Sequence, residues 1–521
     1  MGTTTKVLRR DLAPIDGLGQ LLPRLARRWG ESIGLATAGR TLTYSELNHE
    51  AYRVAEALRA SGIHPGDRVA LYSQNRWEWI AAYHGILRIG ATVVPLNVML
   101  TGEEIGYVLR DSEAKGILLS DERLHAVGGV LRSLPTLALI ASFDKGDGSV
   151  TSLLDTDVSD DEHQREPASV DPDSVACIAY TSGTTGHPKG AMQSQRSLVL
   201  NCAYTATMHG RTSRDVVVTA LPAPHVYGNV VINSTFMAGG KVVLLERFDA
   251  DDALHAIQRH KGTMIEGVPA MYAMMLASPA IDDVDLSTLT RSTVGGQTIA
   301  ESLIGQWEER TAAPLIEVWG MTEVSGLGTT HTVHGPNIHG SIGVAYPGVQ
   351  VKVVSLEDED EDCPIGQRGQ LMVRGPIVTM GYLNNPEATA EAINADGWLR
   401  TGDVATHDGN GRFFVVDRLK ELILTGGYNV YPSEVERVLI GHESVALVGV
   451  APEPDEVKGE VAHAYIVLAP GQQADADALR DYCRQRLAAY KVPRAFHFVS
   501  SLPTTSSGKL MRRKFRASVL S

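Results

Sequence analysis

Apolar and polar positions follow two periods along this chain, and the balance between them shifts toward the C-terminus. Between Thr41 and Pro95, LTYSELNHEAYRVAEALRASG has apolar residues at helical spacing and closes on a glycine. RVALYSQN is a short apolar run, WIAAYHGILRIGA is helical again, and TVVPLN is a second run. Strands separated by whole helices predict parallel pairing, because a parallel strand needs a long crossover connection. Further runs at KGILLSD, VVVTALP, KVVLLE, TMIEGVP and LIEVWG extend the rhythm over most of the chain.

After Pro347 the helices drop out. GVQVKVVSLED, GQLMVRG and RFFVVDRLK read as short strands joined by turns. From Glu421 a separate unit begins, with helices at SEVERVLIG and ADALRDYCRQRLAA and strands at SVALVGVA and VAHAYIVL. Its length of about a hundred residues is that of a small domain. The predicted class is α/β: a large N-terminal domain of several subdomains, with layered sheets and helices and a β-rich subdomain, then a small α+β C-terminal domain. The expected boundaries are 1–417, 418–420 and 421–521.

One loop carries chemistry. The buried-strand pattern VACIAYT runs directly into YTSGTTGHPKG, residues 180 to 190, which combines hydroxyl side chains, glycines and a lysine. Glycines let backbone approach a ligand, hydroxyls donate to phosphate oxygens and the lysine adds charge, so the loop suits a polyphosphate. The Walker pattern fails, since Lys189 is flanked by Pro188 and Gly190 instead of being followed by Ser or Thr.

Bulk properties narrow the picture. The chain has 521 residues, enough for two or more domains, and a formal charge of −14, which argues against nucleic acid as a partner. Cys177, Cys202, Cys363 and Cys483 are widely spaced and form no CxxC pair, so neither zinc nor a disulfide framework is expected. The basic KVLRR start has no following apolar region, and no run approaches the ~20 apolar residues of a membrane span. A soluble protein of the reducing cytoplasm is the expectation. The acidic run Glu357 to Asp362 lacks the glycine and closing glutamate of a calcium loop and reads as a solvated turn. His331, His334 and His339 lack a metal-binding helix spacing and read as a polar loop or lid.

Seven motifs in fixed order then define a resemblance. YTSGTTGHPKG, LPAPHVYG (221–228), VGGQ (294–297), VWGMTE (318–323), GWLRTGD (397–403), VDRLKELILTGGYNVYPSEVE (416–436) and PTTSSGKLMRR (503–513) resemble the adenylate-forming superfamily. That superfamily takes in acyl-CoA synthetases, luciferases and peptide-synthetase adenylation domains. The resemblance covers nearly the whole chain and implies a carboxylic acid–CoA ligase, acting on fatty or other carboxylic acids with ATP, Mg²⁺ and coenzyme A. Acid and ATP would form an acyl-adenylate and pyrophosphate, and a thiol would then take the acyl group. Because two anions must be brought together, positioning and charge stabilisation dominate.

The resemblance also implies roles. Thr181, Ser182, Gly183, Thr184, Thr185, Gly186 and Lys189 would wrap the β- and γ-phosphates. Thr322 would bond the α-phosphate and Glu323 would bind Mg²⁺. Gly295 and Gly296, with Gln297, would let adenine lie against backbone beside Trp319. Asp403 would take the ribose hydroxyls, with Arg418 in support. Lys509 would bridge the acid and the α-phosphate as the catalytic lysine. That lysine lies in the C-terminal domain, so the domain must be mobile: it closes for adenylation, then rotates about Lys420 to bring Gly426 and Gly427 to the pantetheine tunnel. An ordinary surface charge is the competing reading of Lys420.

His225, Tyr227, Gly228, Asn229, Asn233, Met321, Val324, Gly326 and Leu327 would form the acyl pocket, with His225 either gating it or packing. No aspartate stands in LPAPHVYG to meet an ammonium group, which favours an acid without an α-amino group. Two positions depart from the family pattern: Pro224 replaces a usual phenylalanine and Gln195 a usual histidine. Since no carrier domain follows Lys509, the acceptor is expected to arrive separately. Coenzyme A leads, supported by AAYKVPR at 488–494, followed by a free acyl carrier protein and then oxygen. A fold-retaining protein that binds nucleotide or acyl-adenylate without completing both steps remains the alternative, and a homodimer is left open.

Overall fold

The computed structural model describes residues 15–144, 151–152, 166–181, 188–426, 428–469, 471–473, 475–503 and 510–516. Four sheets organise them. The first runs Thr151–Ser152, Leu139–Ser142, Gly116–Leu119, Arg68–Tyr72, Thr92–Pro95, Val175–Thr181 and Lys189–Ser194 in spatial order, parallel except for the last pair. The second centres on parallel strands Lys241–Leu244, Val216–Thr219, Met264–Gly267, Arg291–Val294 and Leu315–Met321. Gly326–Thr330 folds back antiparallel on the last of these.

Parallel strands here are buried on both faces, and their sequences are correspondingly apolar throughout. VVVT at 216–219 and GILL at 116–119 leave almost no exposed side chain. The intervening helices form where the sequence caps them. Thr43 accepts from Glu46 N while Glu46 reaches back to Thr43 N, a reciprocal cap that starts helix Tyr44–Ala60.

Gln350–Val354, Gly369–Arg374, Leu399–His407 and Phe413–Arg418 make an antiparallel four-stranded sheet, the expected β-rich part. The fourth sheet contains Ile423–Thr425, Tyr428–Val430, Val445–Asp455, Gly459–Leu468 and Ala495–Phe498. Helices Pro432–Ile440 and Ala476–Arg484 close its own core around Val435, Leu439, Ile466 and Leu479. The second of these helices is shorter than its sequence pattern. It stops at Arg484, and Leu487 beyond it packs onto this core.

Arg512 ties the chain's end to this unit. Its Nε donates to Val450 O at 3.0 Å and its Nη2 to both Glu436 oxygens at 2.9 Å, and Nη1 reaches Glu421.

Inside the second sheet lies a fully buried ion pair. Arg211 Nη2 is 2.6 Å from Glu266 Oε1, and neither side chain has any solvent exposure. Glu266 Oε2 accepts from Thr293 Oγ1 at 2.8 Å, and Thr293 in turn meets Tyr227 OH at 2.9 Å. Removing one partner of such a pair strands the other charge without solvent, whereas replacing both does not. Arg211→Met is therefore expected to lower stability by about 3–5 kcal/mol, read by urea unfolding. Arg211→Met combined with Glu266→Gln should recover most of the loss; equal loss in the double variant would contradict this account.

Candidate functional site

Strand ends build the site. Gly267, Val294 and Met321 are the carboxyl ends of adjacent parallel strands, and in open α/β sheets ligands bind in the crevice beyond such ends. The turn after Val294 contains Gly295 and Gly296. A Cβ on Gly295 would come within 2.5 Å of Val318 Cγ2 and 3.0 Å of Val318 O, and Gly296 has a φ of +87°. Glycine is required at both places. Gln297 follows, half-buried.

Trp319 lies on the strand next to this turn and is 7% exposed. Its Nε1 donates to Asp403 Oδ2 at 2.9 Å, while Arg418 Nε stands 2.7 Å from Asp403 Oδ1. Asp403 and Arg418 are cross-strand neighbours in the four-stranded sheet, and Asp403 is 2% exposed. An ionised carboxylate offers about four acceptor positions, so this grip leaves capacity on both oxygens.

Thr322 and Glu323 sit in a 3₁₀ turn directly after Met321. Gln193 Nε2 donates to Thr322 O at 2.9 Å and Thr379 N to Glu323 O at 2.7 Å. The mostly buried carboxylate of Glu323 accepts from Tyr382 OH at 2.8 Å. Thr181 ends its strand opposite Lys189, and Lys189 Nζ stands 5.4 Å from the Tyr382 ring centroid. Ser182, Gly183, Thr184, Thr185 and Gly186 of the loop lie outside the described residues, as do Gly427 and Lys509.

The residues expected to form the acyl pocket divide between two faces of helix Val226–Met237. His225 caps that helix, its Nδ1 accepting from Tyr227 N at 3.3 Å. Tyr227 faces the second sheet through Thr293, and Gly326 fits only as glycine, since a Cβ would meet Val230 at 2.4 Å. Met321 ends the Trp319 strand, Val324 lies in the turn after it and Leu327 on the strand that folds back. Gly228 packs on Pro222, whose O would lie 2.3 Å from an added Cβ. Asn229 and Asn233 lie about 200° and about 240° round the helix from Tyr227. There Asn233 Nδ2 donates to Asn229 Oδ1 at 3.1 Å and the pair adjoins Tyr83 and His84, whose imidazole is pushed down to about 4 by burial. Lys420 and Gly426 are exposed, and none of the described contacts joins them to Glu323 or Asp403.

The histidines His331 and His339 take separate partners, Ser341 O at 2.9 Å and Glu308 at 3.0 Å. Sequence reasoning missed Tyr382, Gln193 and Glu317, because each acts through a contact with a distant or unremarkable partner. The sequence signal nearest to Tyr382 is the glycine before it, Gly381, whose φ of +115° turns the ring toward Glu323.

The chain shares its fold with the crystal structure of the anthranilate CoA ligase AuaEII in complex with anthranoyl-AMP. The TM-score is 0.87 at 27% identity, covering 98% of each chain. The class defined by fold and strand-end site is that of the adenylate-forming enzymes. The family model described as AMP-binding enzyme matches residues 22–383, and the AMP-binding enzyme C-terminal domain matches 434–509. This chain belongs to the AMP-binding enzyme family. It is 36% identical to a feruloyl-CoA synthase of an Amycolatopsis species, over 96% of this chain and 99% of that protein. It is 33% identical to a long-chain-fatty-acid–CoA ligase of Bacillus subtilis (strain 168), over 96% and 94%. Among the described residues no helix is long and apolar enough to cross a membrane.

Glu317, two residues before Trp319, gives the site a pH signature. Burial pushes its carboxyl up to about 8 from the ordinary 4.5, against the opposing bond from Gly340 N at 2.7 Å. The folded protein thus holds a proton that the unfolded chain has released. Its contribution is complete below about pH 4.5 and is lost as pH rises toward about 8. Thermal stability is expected to fall across that window, and Glu317→Gln should flatten the fall in a scanning-fluorimetry series; an unchanged slope would reject the assignment.

Proposed function

We propose that this protein is an ATP-dependent carboxylic acid–CoA ligase that works through an acyl-adenylate. The observation that carries the proposal is the grip of Trp319 and Arg418 on Asp403, which sets a buried carboxylate beside the glycine turn with acceptor capacity to spare. Ribose hydroxyls are donors that would use that capacity while adenine lies on the Gly295–Gly296 backbone beside Trp319. The named activities of the feruloyl and long-chain fatty-acid relatives agree with this reading.

In the first step an oxygen of the substrate carboxylate attacks the α-phosphorus of ATP and the bond to the β-phosphate breaks. Acyl-adenylate forms and pyrophosphate leaves. Thr322 donates to the α-phosphate, Thr181 and Lys189 hold the outer phosphates with residues 182–186, and Lys509 bridges the two anions. In the second step the sulfur of coenzyme A attacks the acyl carbonyl, giving the thioester and AMP.

Glu323 suits Mg²⁺, which takes one or two carboxylates and completes its shell with phosphate oxygens and water. The cation supplies charge neutralisation on the phosphates when bound. The division at 1–417, 418–420 and 421–521 belongs to the same proposal, with Lys420 at the hinge. It is supported by the separate core around Val435 and Ile466. The acyl group would lie along Tyr227, Met321, Val324, Gly326 and Leu327, with His225 at the mouth.

Pyrophosphate exchange across a panel of aromatic and aliphatic acids, followed by thioester assay with coenzyme A and with an acyl carrier protein, tests the function. Acid-dependent exchange with thioester on coenzyme A is expected, and exchange without thioester on either acceptor would restrict the protein to the first step. Lys509→Ala should abolish exchange yet leave transfer from supplied acyl-adenylate largely intact. Replacing Gly427 by a bulky residue should do the reverse, and equal loss of both steps in either variant would contradict the division of labour.

A further inference from the structure

The segment 379–383 links two parts of the site that no motif connects. Its backbone lies along the strand leaving the phosphate loop. Met380 N donates to Met192 O at 2.9 Å, Met192 N to Gly381 O at 2.9 Å and Leu383 N to Gly190 O at 2.8 Å, and Tyr382 bridges Ala191. The same segment holds the opposite wall through Thr379 N on Glu323 O and Tyr382 OH on Glu323 Oε1. Its own conformation is determined locally. Gly381 has a φ of +115°, and Tyr382 N donates to Thr389 Oγ1 at 2.9 Å.

Tyr382 touches both signs of charge. Its hydroxyl faces the Glu323 carboxylate at 2.8 Å, and its ring lies 5.4 Å from the Lys189 ammonium. Opposite charges on neighbouring walls attract, and a direct ion pair would consume both before a ligand arrived. Among the described ion pairs none joins Lys189 to Glu323. The ring offers Lys189 a weak cation–π partner and the hydroxyl offers Glu323 a neutral donor. Each charge is therefore held, and each stays available to a stronger partner.

We infer that Tyr382 is a positioning residue of the nucleotide site: it aims the Glu323 carboxylate for a Mg²⁺–triphosphate and keeps Lys189 apart from it. This rests on the proposed role of Glu323 as the cation-binding residue. Tyr382→Phe retains the ring and loses the donor. In titrations of a fluorescent ATP analogue with Mg²⁺, the concentration giving half-maximal binding should rise about tenfold in this variant. Binding without metal should barely change, while the melting temperature should fall slightly, because a mostly buried carboxylate loses one donor.

In a Glu323→Gln background, Tyr382→Phe should add nothing to the Mg²⁺ requirement, because the two residues act through one bond. A purely structural tyrosine would weaken binding equally with and without Mg²⁺, or additively in the double variant, and either result overturns the inference. So does an unchanged Mg²⁺ curve in Tyr382→Phe when the wild type responds to the cation. A wild type whose nucleotide binding ignores Mg²⁺ would overturn the role of Glu323 together with that of Tyr382.

Discussion

The hydrogen bond from Trp319 to Asp403 is the interaction on which the arrangement of this protein turns. It spans 84 residues and joins the end of a parallel strand in the nine-stranded sheet to an antiparallel strand in the four-stranded one. A bond to a charged acceptor contributes about 1.5–3 kcal/mol, and the buried position of Asp403 makes an ungripped carboxylate costly. Arg418 supplies the countercharge from the neighbouring strand, so the grip ends where the chain enters its C-terminal unit. One carboxylate thereby ties two sheets together.

A second weld is made by backbone. The segment 379–383 is paired to the strand that leaves the phosphate loop and bonded to the turn carrying Glu323. That strand and the Glu323 turn are thereby joined through one segment, although the sequence separates them by more than a hundred residues. The glycine turn at 295–296 follows the adjacent strand end. Such ties suit a reaction whose difficulty lies in bringing two anions together, because positions prepared in advance need no reorganisation as charge develops.

Much of this was legible along the chain. Helix Tyr44–Ala60, strand Arg68–Tyr72 and helix Trp77–Arg88 appear where the apolar spacing puts them, since both faces of a parallel sheet must be covered. Hairpin partners were less visible. The strands Lys189–Ser194 (KGAMQS) and Gly326–Thr330 (GLGTT) carry few apolar side chains, and their pairing comes from the neighbour and not from their own pattern. Asn229 and Asn233, expected in the acyl pocket, adjoin Tyr83 and His84. Spacing identifies a shared face without saying what lies opposite.

By itself the sequence determined the succession of elements, the glycine positions where only bare backbone fits, and the motifs that mark the family. Local periodicity and steric limits act within a few residues, so they can be read without a fold. Tertiary structure alone decided which carboxylate is gripped and by what. Trp319 with Asp403, Tyr382 with Glu323, and Arg211 with Glu266 are contacts between distant segments, set by sheet order and burial. Their energies exist only once water has been removed from around both partners.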